Sequence, residues 1–109
     1  MIHELRIYRA LPGRLPLLLD RFKDRTTKIW DRLGIQHVGF WTTMIGDSES
    51  SDLTYLLAWE SLADRESRWG AFLKDAEWLQ VRAESEKGGP LYENIRSQLL
   101  QPTSFSRLK

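Results

Sequence analysis

Hydrophobic and polar residues alternate from Ile2 to Arg9, with Leu5 and Ile7 set against Glu4, Arg6 and Tyr8, which is the period of a half-buried β-strand. Leu11-Pro12-Gly13 ends that run. From Leu15 the period changes: Leu15, Leu18, Leu19, Phe22, Thr26, Ile29, Trp30 and Leu33 recur three and four apart and trace one stripe of a long helix. Pro16 is compatible with it because it falls in the first turn. Gly34 marks the end, since glycine can take the left-handed C-cap conformation, and Ile35 beyond it is placed to pack back on Trp30.

Gln36 to Gly46 and Leu53 to Trp59 are rich in β-branched and aromatic residues and predict two strands, joined by the polar loop GDSESSD as a loose hairpin. Ser61 then stands where an N-cap belongs, with Asp64 three residues on, a relative of the capping box. In the helix that follows, Leu62, Trp69, Phe72, Leu73 and Ala76 form the expected buried side, and Asp64, Glu66, Arg68 and Lys74 the solvent side. Asp75 predicts the cap of a second helical piece running to Lys87, stopped by Gly88-Gly89-Pro90. A last strand, Leu91 to Leu100, alternates Leu91, Ile95 and Leu99 against Tyr92, Asn94, Arg96 and Gln98.

The resulting order, β-α-β-β-α-β, predicts an α+β fold of ferredoxin-like type, an antiparallel sheet with two helical segments on one face, in a single domain over residues 1–109. In that topology the first strand lies between the third and the fourth, and the second lies at an edge. Helices on one side leave the other sheet face to solvent or to another subunit. Apolar residues occur at both parities of the middle strands, as in Phe40-Trp41 and Tyr55-Leu56-Leu57, so both faces call for cover and a homodimer is expected.

Composition narrows the function classes. Sixteen basic and fifteen acidic side chains leave a formal charge of +1, which removes the electrostatic case for a nucleic-acid partner. Cysteine is absent, and with it thiolate nucleophiles, disulfides and cysteine-bound metals. No apolar run approaches a membrane span, and MIHELRIYRA lacks the apolar stretch of a secretory signal, so a cytoplasmic location is expected.

Candidate chemistry is sparse. Glu4, Arg6 and Tyr8 on the first strand and Tyr92, Asn94, Arg96 and Gln98 on the fourth predict a shared polar surface that would suit a small acidic or phenolic ligand; a structural ion pair of Glu4 with an arginine at a dimer interface is the simpler alternative. His3 and His37 are the only imidazoles, and no metal-ligand spacing surrounds them. Parity places His37 on the face of Trp41, where the two would shape a pocket for an aromatic ligand. Trp30 and Trp69 read as core, whereas Trp41 and Trp59, with Tyr55, are candidates for a cavity wall between sheet and helices. The charges of RESR and RAESEK read as solvated helix faces, and no cofactor or metal site is expected.

Four passages resemble the NIPSNAP family of the dimeric α+β barrel superfamily: HELRIYRALPG at the start, GFWTTMIG from Gly39, LLAWESLADRESRWGAFLKDAEW in the middle and LLQPTSFSRL at the end. LAW at Leu57 to Trp59 and Trp69 after Arg68 depart from the usual pattern. The resemblance implies two chains closing an α+β barrel. Members generally lack an established activity, so a small-ligand-binding or interaction module is the leading expectation. Superfamily relatives supply two alternatives, a cofactor-independent monooxygenase or isomerase acting on a small aromatic compound and a haem-handling protein.

Overall fold

A computed structural model describes residues 1–48 and 50–109. Strands β1 (Ile2–Ala10), β2 (Gln36–Thr42), β3 (Asp52–Trp59) and β4 (Tyr92–Leu100) form one antiparallel sheet in the order β2-β3-β1-β4. The expected arrangement is therefore present, with β1 central and β2 and β4 at the edges. Helical segments α1 (Leu15–Arg21), α2 (Thr27–Leu33), α3 (Leu62–Lys74) and α4 (Ala76–Ser85) occupy the connections. Glu49, in the expected hairpin loop, lies outside the described residues, and Met44 and Ile45 fall beyond the end of β2, fully exposed.

The core lies between the helices and one face of the sheet. Every second residue of β3, Leu53, Tyr55, Leu57 and Trp59, is buried there against Leu18, Phe22, Ile29, Trp30, Phe72 and Val81. Fully burying side chains of this size stabilises the fold by about 1.5–3 kcal/mol each. Thr54 and Leu56, on the opposite face of the same strand, are half-buried.

The long first helix runs over the expected residues but is not uniform: Phe22–Thr26 forms a π turn between α1 and α2. The Thr27 backbone N–H and hydroxyl both donate to the Phe22 carbonyl, the hydroxyl at 2.9 Å. Gly34 closes α2 in the left-handed region at φ 73°, and Ile35 N–H returns to the Trp30 carbonyl at 2.8 Å, the expected Schellman closure. A side chain at Gly34 would collide with the Arg68 guanidinium, which donates to the Leu33 carbonyl.

Ser61 Oγ accepts from Asp64 N–H at 3.1 Å and Asp64 Oδ2 accepts in turn from Glu60 N–H at 3.0 Å, so Ser61 is the cap of α3 as expected. The face of α3 is rotated from expectation. Its inward stripe is Arg65, Trp69 and Phe72, leaving Leu62 63% and Leu73 51% exposed, with Ala76 also outside. Asp75 ends α3 and caps α4 through Trp78 N–H, and α4 stops at Ser85, two residues before the expected Lys87.

Candidate functional site

The alternation of β1 sends Glu4, Arg6 and Tyr8 to the helix face, into the core. Glu4 is 0% and Arg6 8% exposed. A carboxylate cannot be held there without compensation, and four donors supply it. Trp59 Nε1 donates to Glu4 Oε1 at 3.1 Å, and Arg65 forks across both oxygens at 2.8 and 3.1 Å. Arg6 Nη1 adds a bond to Oε2 at 3.2 Å. Arg6 Nε donates to the Tyr55 hydroxyl at 2.7 Å, and its guanidinium lies 4.7 Å over the Trp69 ring. Glu4, Arg6, Tyr8, Tyr55 and Trp59 are thus brought together, and the pairing of Glu4 with an arginine is real but sits under the helices, not on the open face.

The electrostatics follow from that geometry. Burial by itself would raise the Glu4 pKa, but the hydrogen bonds from Arg65 and Trp59 and the charges of Arg65 and Arg6 outweigh it and hold the carboxyl below its usual range. Burial works against the Arg6 charge too, and is outweighed by the facing oxygens of Tyr55 and Tyr8, which keep it charged. Burial pushes the Tyr55 hydroxyl well up, with Tyr8 adding to the shift and Arg6 offsetting part of it, so Tyr55 is a neutral phenol at physiological pH. A carboxylate offers about four acceptor positions, and those of Glu4 are filled. It is ionised, saturated and unsuited to take a proton from a substrate.

Two single-residue bulges move other candidates elsewhere. In β4, Tyr92 pairs with Ala10 and Asn94 with Arg9, so Glu93 is the extra residue. Tyr92 stays on the helix face, its ring 4.9 Å from Tyr8. Beyond the bulge Arg96 and Gln98 pair with Ile7 and Leu5 on the open face, with Asn94 on the same side. The expected polar surface of β1 and β4 is therefore split between two faces. In β2 the extra residue is Val38, since His37 pairs with Leu57 and Gly39 with Leu56. His37 points to the helix side, 5.6 Å from Phe40, with Nε2 2.8 Å from Asp31 Oδ1, whereas Trp41 lies on the open face, 53% exposed. The expected His37–Trp41 pocket does not form. His3 is on the open face under the C-terminal tail, near Leu56, Pro102 and Leu108.

Arg65 escaped the sequence reading, where its charge placed it with RESR on a solvated face. The usable signal was spacing, because Arg65, Trp69 and Phe72 lie four and three apart. Also unforeseen was a groove of 290 Å³ where the π turn meets the outer half of the sheet, lined by Leu19, Phe22, Lys23, Thr27, Phe40 and Leu53. Its walls are mainly apolar, with Thr27 among them and Lys23 and Asp20 at the rim. Phe22 and Phe40, 5.7 Å apart, separate it from Tyr55 and Trp30. Among the described residues, no cluster of three or more His, Asp or Glu is placed to hold a metal ion, and no helix is long and apolar enough to cross a membrane.

Known structures share this architecture. A NIPSNAP family protein of unknown function from Agrobacterium tumefaciens superposes with a TM-score of 0.84 at 28% identity, covering 100% of this chain and 94% of the other. A second NIPSNAP family protein from that organism gives 0.86 at 27% identity over 99% and 98% of the two chains. A mutant of MhuD with two manganese protoporphyrin IX molecules bound per active site gives 0.61 at 13% identity over 94% of each chain, a likeness of fold alone. Comparison with curated protein sequences finds no match. The sequence pattern of the NIPSNAP family matches residues 3–107, and the chain belongs to that family.

Proposed function

We propose that this protein is a homodimeric module that binds a small aromatic ligand without turning it over. The observation that carries this reading is the groove beside the π turn. At 290 Å³ it lies near the lower bound of about 300 Å³ for small-molecule sites, and its wall of two tilted aromatic rings, Phe22 and Phe40, suits a single ring. Binding without turnover is favoured because Glu4 is saturated and Tyr55 is held as a neutral phenol. Arg6 already meets Tyr55 and Glu4, which argues against an acidic ligand there.

A second copy is the proposed cover for the open face. Leu5, Ile7 and Leu56 are half-buried on it, flanked by Trp41, Asn94 and Arg96, which this reading assigns to the interface. The two alternatives from the wider superfamily find less support. Among the described residues no imidazole lines the groove, and His37 and His3 lie on opposite faces of the sheet.

Calorimetric titration with a panel of substituted benzenes and phenols tests the site. Wild-type protein is expected to bind members of the panel, and Leu53→Trp, which fills the groove, to lose them while staying folded. Flat heats across the panel, or binding unaffected by Leu53→Trp, would refute the assignment. Sedimentation equilibrium tests the dimer: Leu56→Asp should yield monomer, and a wild-type monomer at micromolar concentration would sink this part of the reading.

A further inference from the structure

The rim of the groove carries two charges of opposite sign, Asp20 and Lys23, three residues apart on the helix that forms one wall. Both side chains are exposed, and among the described residues neither has an ion-pair or hydrogen-bond partner. Their charged neighbours on the helix are engaged or turned away. Arg21 donates to Ser85 and Glu86, Arg25 pairs with Glu84, and Asp24 lines a separate groove between α1 and α4, with Asp20 on the ridge between the two. Residues three apart on a helix stand about 5–6 Å from each other at Cβ. An apolar cleft therefore opens to solvent past one free carboxylate and one free ammonium, side by side. Lys23 belongs to the π turn, and such turns concentrate at functional sites.

Resting on the groove reading above, we infer that the ligand is an aromatic zwitterion of the α-amino-acid class, its ring in the groove and its head group at the rim, carboxylate toward Lys23 and ammonium toward Asp20. The ring lies against the outer surface of Phe22, Phe40 and Leu53 and does not pass between them. Charge complementarity selects this class. An aryl acid is drawn to Lys23 and repelled by Asp20, and an aryl amine meets the reverse, so each gains little; a molecule carrying both charges gains from both. The head group stays in water, so no buried charge has to be compensated. Each contact then has the worth of an exposed ion pair, a factor of roughly 1.5 to 5 in affinity.

Four compounds with one ring and a short arm separate the rim from the groove: phenylalanine carries both charges, 3-phenylpropionate the negative one, phenethylamine the positive one and 3-phenylpropanol none. In titrations of wild-type protein at low salt, phenylalanine should bind roughly two- to tenfold more tightly than the alcohol, and the two singly charged compounds within about twofold of it. Asp20→Asn should tighten 3-phenylpropionate and weaken phenethylamine, and Lys23→Gln should do the opposite, with the phenylalanine advantage reduced in both. Asp20 and Lys23 are exposed and unpaired, so neither change threatens the fold, and a merely structural effect would not reverse sign between an acid and an amine. Equal binding of phenylalanine and 3-phenylpropanol by wild-type protein would overturn the inference while leaving the groove reading in place. So would shifts that do not oppose each other in the two variants. Binding of none of the four would overturn this inference and the groove reading together.

Discussion

Replacing Glu4 by glutamine keeps the shape of the side chain and removes its charge, which isolates the role of the carboxylate at the centre of the sheet. In the native protein its two oxygens accept from Trp59, twice from Arg65 and from Arg6. A glutamine oxygen can keep the Trp59 and Arg65 Nε bonds, but its NH2 then faces Arg65 Nη2 and Arg6 Nη1, donor against donor. Two guanidinium groups are left beside each other without the anion between them. Removing one partner of a buried ion pair costs about 3–5 kcal/mol. The lower end, about 3 kcal/mol, applies here because Arg65 is 29% exposed and can rehydrate, while Arg6 keeps Tyr55. For a domain of this size each kcal/mol lowers Tm by roughly 4–8 °C, so the fall should be roughly 12–24 °C.

Urea denaturation of Glu4→Gln, Arg65→Met and the double variant measures the stability change and its origin. Because the two side chains share one network, the double variant should be more stable than the sum of the singles predicts, by about 1–3 kcal/mol. Two results would refute the reasoning: a Glu4→Gln variant within about 0.5 kcal/mol of wild type, the scale of an ordinary surface substitution, or strictly additive losses, which would mean that Arg65 and Glu4 stabilise the fold independently.

The lowered pKa of Glu4 gives a sign for the pH dependence. Its folded-state value lies below the unfolded one, so its stabilisation is present above the unfolded carboxyl range and is lost as pH falls through the folded value. Wild-type stability, followed by urea midpoints from pH 7 downward, should decline over that window more steeply than that of Glu4→Gln, and parallel curves would count against it. Gly34→Ala should cost about 1–2 kcal/mol from its left-handed backbone alone, since φ is 73°, and more if Arg68 cannot move aside. Thermal melts of Gly34→Ala alone and with Arg68→Ala separate the two causes, and an unchanged Tm in Gly34→Ala would contradict both.

Much of the fold was legible because its signals are local. Gly34, Ser61, Asp64 and Asp75 each act within four residues of themselves, and each cap was readable from residue type and position. Strand order followed from topology alone, since a ferredoxin-like order leaves few arrangements for β1. The π turn was not readable, because inserting it leaves the apolar stripe of Leu18, Phe22, Ile29 and Trp30 intact and changes only which carbonyl each N–H reaches. The misplaced face of α3 has a similar origin: Leu62 and Leu73 look more buried by type than Arg65, and the sheet beneath decided otherwise.

What blurred the candidate site was the bulges. Parity assigns a face only while the count along a strand is unbroken, and one extra residue turns every later side chain over. Val38 does this to Trp41, and Glu93 to Asn94, Arg96 and Gln98, so half of the expected polar surface left the site although the strand order was right and only β2, which ends at Thr42 and not Gly46, missed its limits by more than one residue. Neither residue announces itself by type. The half that stayed carried its own clue: Glu4 shares a parity with Tyr8 and Ala10 in the central strand, where both faces call for cover. An acid in that position requires a cation from an opposing element. On the helix that packs there, the arginine on the stripe of Trp69 and Phe72 is Arg65, so the demand of Glu4 for a partner, combined with spacing, identifies the residue that charge alone had assigned to solvent.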